Sequence, residues 1–151
     1  MSLTSLRVLI RPSFDAETEA PCGTSVAQAR EALSFWRGRL ARLPWYRRAA
    51  RAEAVPLLDE AAAALGVGWT RLSIRSQRTR WGSCTPDGAI SLNWRLLLGP
   101  REVFEYVVWH EACHLAVMDH SARFWDLLES RLPDYREPRD WLRRNGAALQ
   151  L

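Results

Sequence analysis

The segment His110-Glu111-Ala112-Cys113-His114 brings together the residue types of metal-assisted hydrolysis. In a helix, four residues make slightly more than one turn, so His110 and His114 leave the same face and can share one metal ion. Glu111 then sits near the metal's open position, where a carboxylate takes a proton from water and passes it to a leaving group. The surrounding run, from Val103 to about Val117, is apolar on nearly every side and predicts a buried central helix. Burying three polar side chains there without partners would cost roughly 1–3 kcal/mol each, a penalty that a divalent cation removes.

A catalytic zinc with an open fourth position needs a third protein ligand. His120 is the one histidine left in the chain, six residues after His114. Glu129, on the following helix, is the competing candidate. The softer nitrogen of His120 and its place beside the helix end favour it. The spacing fits the HExxHxxGxxH arrangement of metzincins, but Val117 replaces their glycine and no methionine follows His120 to form a Met-turn.

Other polar groups have less definite tasks. Tyr135, Arg80 and Asn93 are candidates for stabilising an oxyanion. Asp119, Asp126 and Glu129 are candidates for accepting the second ring N–H of a ligating histidine. Cys84 and Cys113 are read as small buried hydrophobes, Cys113 being one position off the histidine face.

The elements that must position these groups follow from hydrophobic period and turn chemistry. An edge strand is expected over Leu6 to Ile10, then a loop, then an amphipathic helix from Ser25 to about Leu43 that Pro44 ends. A second helix is expected from Pro56 to Leu65, stopped by Gly66 and Gly68. Thr70, Leu72 and Ile74 alternate with polar residues as a half-buried strand does. Thr79–Cys84 and Ala89–Arg95 flank the turn Thr85-Pro86-Asp87-Gly88 and predict a hairpin, with Trp81 to Cys84 on an edge strand suited to pairing with an extended peptide. The central helix starts at Gly99-Pro100. Ser121 is positioned to cap a helix over Ala122–Leu132, with Phe124, Trp125, Leu128 and Leu132 inward. A short helix over Glu137–Arg144 follows.

Composition sets the frame. The chain has 151 residues, 48% of them hydrophobic and 25% charged, which suits one α+β domain over residues 1–151. No apolar run approaches a membrane span, and no secretory signal is expected. Three cysteines are too few for a disulfide framework and point to a reducing cytoplasm, and a single domain without partner modules reads as a monomer. All 21 basic residues are arginine and the net charge is +4. Trp45-Tyr46-Arg47-Arg48 is the one aromatic-basic cluster suited to weak binding of single-stranded nucleic acid, and with a pI near 9.5 it makes a DNA-associated protease or binding module an alternative reading.

Arg80-Trp81-Gly82-Ser83-Cys84, Asn93-Trp94-Arg95-Leu96, the HExxH string, and Asp119-His120-Ser121 with Phe124-Trp125 together resemble the YgjP-like metallopeptidase domain family, related to the SprT-like zinc proteases. The resemblance covers about Leu65 to Leu142, with Asp119 where the family pattern has asparagine. It implies a zincin-type fold with a small sheet over the active-site helix. It further implies zinc on His110, His114 and His120, Glu111 as general base, and peptide-bond hydrolysis. A nucleotide (UTP-type) pyrophosphatase activity is also associated with the family's name, although no glycine-rich phosphate loop is visible here.

Overall fold

The computed structural model describes residues 44–149. Within them, helix α1 (Pro44–Leu65) is followed by strands β1 (Arg71–Arg75), β2 (Gly82–Cys84) and β3 (Ala89–Asn93) and a 3-10 turn (Trp94–Leu98). Helices α2 (Arg101–His114), α3 (Ala122–Arg131) and α4 (Arg136–Leu149) complete an α+β arrangement. The expected strand at Leu6–Ile10 and helix at Ser25–Leu43 lie outside the described residues. No helix among those described is long and apolar enough to cross a membrane.

α1 is longer than the expected Pro56–Leu65, and Pro44, expected to close a helix, is itself helical. Tyr46, Ala50, Ala54, Leu58, Ala61 and Ala62 form one buried stripe that runs past Pro56 without a break. Proline removes only the bond to the carbonyl of Ala52, which is exposed and can turn to water. Burial of the stripe against α2 and β1 outweighs that loss.

The sheet has the order β1-β3-β2. β1 runs parallel to β3, with Leu72 opposite Ile90 and Ile74 opposite Leu92. β2 runs antiparallel to β3, with Gly82 opposite Leu92 and Cys84 opposite Ile90. The expected turn joins β2 to β3: the Gly88 N–H donates to the Thr85 carbonyl at 2.9 Å, and Gly88 adopts a φ of 84°. That left-handed conformation favours glycine and matches a turn closing into a bulge.

β3 stops at Asn93, two residues before the expected end at Arg95. The Asn93 side chain accepts from the Arg95 N–H at 3.1 Å and so starts the 3-10 turn. Its Nδ2 donates to the carbonyls of Gln77 at 2.6 Å and Arg80 at 3.4 Å, tying down the connection between β1 and β2.

α2 lies at the centre, touching α1, the sheet, α3 and α4. It is buried on nearly all sides, as expected, but ends at His114 instead of Val117. The Val117 N–H turns back to the Cys113 carbonyl at 2.9 Å, leaving its own carbonyl to accept from His114. Ser121 sits at the N-cap of α3 without a side-chain cap bond; the Asp119 carboxylate accepts from its N–H at 3.0 Å. Phe124 and Leu128 are buried, whereas Trp125 and Leu132 are half-buried.

α4 runs past the expected end at Arg144, through Asn145-Gly146, to Leu149. The glycine belongs inside the helix because a β-carbon there would lie 3.1 Å from Trp81 Cζ2. Gly146 thus lets α4 pack on the residue that precedes β2.

Candidate metal centre

His110 and His114 project from one face of α2, and the chain returns after Val117 to bring His120 to the same point. His120 Nε2 lies 3.0 Å from His110 Nε2 and 3.2 Å from His114 Nε2. One ring nitrogen from each residue falls within 4.8 Å of the others. A tetrahedral zinc with bonds of about 2.05 Å would set its ligand nitrogens roughly 3.3 Å apart, so the cluster already has the dimensions of such a site.

The donor chemistry also fits a metal. His114 Nδ1 is 3.0 Å from the Val117 carbonyl. A carbonyl only accepts, so Nδ1 carries the hydrogen and Nε2 presents its lone pair to the cluster. Burial, followed by the like charges of His114 and His120, pushes His110 down to about 3. Burial likewise lowers His114, against the opposing pull of the Val117 carbonyl. Both rings are therefore neutral, the form that binds a cation. His110 Nδ1 is buried with no hydrogen-bond partner among the described residues.

Aromatic rings hold the histidines in place. Phe124 is fully buried beneath them, with centroids 4.8 Å from His110, 4.5 Å from His114 and 4.9 Å from His120. Trp125 stacks on His120 at 5.6 Å, and its indole N–H donates to the His120 carbonyl at 3.1 Å. Tyr106, one turn before His110, meets that ring at 5.7 Å.

Glu111 turns from the histidine face toward β2 and is only 6% exposed. Burial raises its carboxyl to about 8, with Arg80 pulling it partly back. Gly82 leaves the space that this side chain fills: a β-carbon there would collide with Glu111 Oε1 and lie 2.7 Å from Cγ. The edge strand and the carboxylate are thus packed in direct contact.

Other sequence candidates fall elsewhere. Glu129 pairs with Arg136 and does not join the histidines. Cys113 is buried and Cys84 half-buried, and neither belongs to the cluster. Asn93 spends both amide hydrogens on backbone carbonyls, so it has none for an oxyanion. Tyr135 is buried against Trp125 at 5.6 Å, whereas Arg80 is exposed. No carboxylate among the described residues accepts from a histidine ring; the Val117 carbonyl takes that part at His114. Sequence reasoning missed Tyr106 and Val117. Tyr106 was findable as the residue four before His110 on the same helix face, but the Val117 carbonyl depends on where the helix ends.

Comparison with known proteins gives two findings. The family described as YgjP-like, metallopeptidase domain matches residues 5–145, well beyond the expected Leu65–Leu142. The crystal structure of the metallopeptidase zymogen of Pyrococcus abyssi abylysin is similar, with a TM-score of 0.53 and 26% sequence identity. The likeness covers 59% of this chain and 90% of that one. No curated protein matches the sequence.

Proposed function

The chain belongs to the YgjP-like metallopeptidase domain family, and from that premise we propose that it hydrolyses peptide bonds with zinc held by His110, His114 and His120 and with Glu111 as general base. The observation that carries this reading is the convergence of three imidazole nitrogens at a helix that also carries the buried Glu111. Zinc bound there would supply Lewis acidity to the scissile carbonyl and to water.

The remaining steps belong to this chain's own groups. Burial favours the protonated form of Glu111, and a divalent cation held by the histidines would favour the carboxylate. In that form Glu111, held against Gly82, takes a proton from the attacking water and returns it to the departing amine nitrogen. β2 pairs with β3 on one side only among the described residues. An extended peptide added to its free edge would pass over Glu111. We assign residues 1–151 to one catalytic unit acting in the cytoplasm, a reducing compartment that suits unpaired Cys84 and Cys113.

The test is Glu111→Gln in zinc-loaded protein, assayed on an unstructured protein substrate. Turnover should fall by about 10²–10⁴-fold, the usual contribution of a general base, with zinc content unchanged. Full peptidase activity in that variant would overturn the assignment.

A further inference from the structure

Arg47, Ser73, Ile74, Arg75, Ser76 and Gln77 line an open groove of about 520 Å³ beside α1 and β1. Its two sides are tied together by Arg51, whose Nη1 donates to the Leu72 carbonyl at 2.8 Å. Arg47 comes from α1, one helical turn before Arg51, and Arg75 from the end of β1. The connection that follows β1 is also held firmly. Ser76 Oγ accepts from the Trp94 indole N–H at 2.6 Å, and the Gln77 carbonyl accepts from Asn93.

Arg47 and Arg75 are the charged residues that line this groove, and the segments that carry them are rich in arginine. The segments at residues 44–52 and 70–86 carry seven arginines, of which Arg71 and Arg80 act on the carboxylates of Asp87 and Glu111. That exceeds the +4 of the whole chain, so the remainder is net negative. The salt bridges among the described residues, Arg136–Glu129 and Arg139–Asp140, lie on α3 and α4. Neither Arg47 nor Arg75 has a carboxylate partner there.

Like charges gathered on a rigid wall repel one another, and a ligand bearing regularly spaced negative charge relieves that cost. Arginine's planar fork matches phosphate, and Ser73, Ser76 and Gln77 add neutral donors of the kind that position a nucleic-acid backbone. The aromatic part of the Trp45-Tyr46-Arg47-Arg48 cluster is turned inward. Tyr46 is buried 5.3 Å from Trp94, and Trp45 meets Tyr46 edge-on at 5.0 Å. The groove therefore offers guanidinium groups without a stacking platform.

We propose that this groove binds the phosphodiester backbone of nucleic acid without regard to sequence. The connection carrying Arg78 and Arg80 leads in sequence from the groove to Gly82, the residue packed against Glu111. Binding is independent of the peptidase reading and is measured without it.

The test is fluorescence anisotropy of labelled oligonucleotides of about 20 nucleotides, single-stranded and duplex, with the full chain over roughly 50–200 mM salt. The logarithm of the binding constant should fall linearly with that of salt. Arg47→Gln/Arg75→Gln/Arg78→Gln should weaken binding at least about tenfold and reduce the salt slope by roughly one for each phosphate left without its guanidinium. Arg75→Glu alone should weaken it in the same direction, and Arg143→Gln/Arg144→Gln on α4 should leave it unchanged. Absent binding, salt-independent binding, or undiminished binding by the groove variants would overturn the proposal. So would displacement of the oligonucleotide by polyglutamate more readily than by unlabelled DNA, which would assign the groove to acidic protein segments.

Discussion

Gly82 and Glu111 touch across the space between β2 and α2 so closely that a side chain at residue 82 would displace the Glu111 carboxyl. A β-carbon there would strike Glu111 Oε1 and stand 2.8 Å from Cδ, closer than such atoms approach. The contact gives a sharp prediction, because the missing methyl group holds the proposed base in place. Gly82→Ala should force the carboxylate aside and lower kcat by roughly a hundredfold, within the range of general-base catalysis. The histidines are untouched, so zinc should remain at one per chain by elemental mass spectrometry. An unchanged kcat would show that the position of Glu111 is immaterial.

The third ligand can be separated from its rival by the same metal analysis. His120→Ala should lose zinc even after reconstitution, since two imidazoles remain of three. Glu129→Ala should keep it. Glu129 is engaged with Arg136 on an exposed surface, and losing such a pair costs at most about 1 kcal/mol of stability. Zinc lost from Glu129→Ala and kept by His120→Ala would reverse the assignment.

Much of this was legible in the sequence because it depends on local spacing. The interval between His110 and His114, the apolar α2 and the turn at Thr85–Gly88 each follow from a few neighbouring residues. Element ends were less legible. Pro56 looks like a boundary, yet it lies inside a helix whose buried stripe continues past it, and the last helix runs five residues beyond Arg144 to Leu149. The end of α2 at His114 is likewise tied to a long-range requirement, the return of the chain that brings His120 to the cluster. Packing between distant segments, such as Gly82 on Glu111 or Gly146 on Trp81, leaves no local signal beyond the presence of glycine.

Cys84 should report on this packing through its reactivity. Burial first, then the charges of Glu111 and Asp87, push its thiol from the usual 9.0 up to about 11. At pH 8 an ordinary thiol is about one-tenth ionised, and one shifted this far about a thousandth, so alkylation should be roughly a hundredfold slow. The rate, followed at Cys84 by peptide mass spectrometry, should climb steeply toward pH 11. The unfolded chain releases this proton near pH 9, before the folded one does. Cys84 therefore contributes declining stability as pH rises from 9 to 11 and no pH dependence below that window. Alkylation at pH 8 as fast as in denatured protein would contradict this placement.

Phe124 should prove as important to the metal centre as some groups that would touch the metal. Its ring lies beneath all three histidines and is wholly shielded from water. The fixed tautomer of His114 and the indole bond to the His120 carbonyl orient two of the rings, whereas His110 Nδ1 has no such partner. Phe124 makes a closer ring contact with His110 than Tyr106 or Trp125 does. Phe124→Ala should cost about 3–5 kcal/mol, as expected for emptying a buried aromatic site, and can be read by denaturant unfolding. Phe124→Leu preserves most of the core and isolates the restraint. It should fold, keep all three histidines and bind zinc about tenfold more weakly in competition with a chelator, at the lower end of what orienting groups contribute. The stabilisation by zinc, measured as a rise in Tm, should shrink accordingly. Wild-type zinc affinity in Phe124→Leu would mean that the backbone alone sets the histidine geometry.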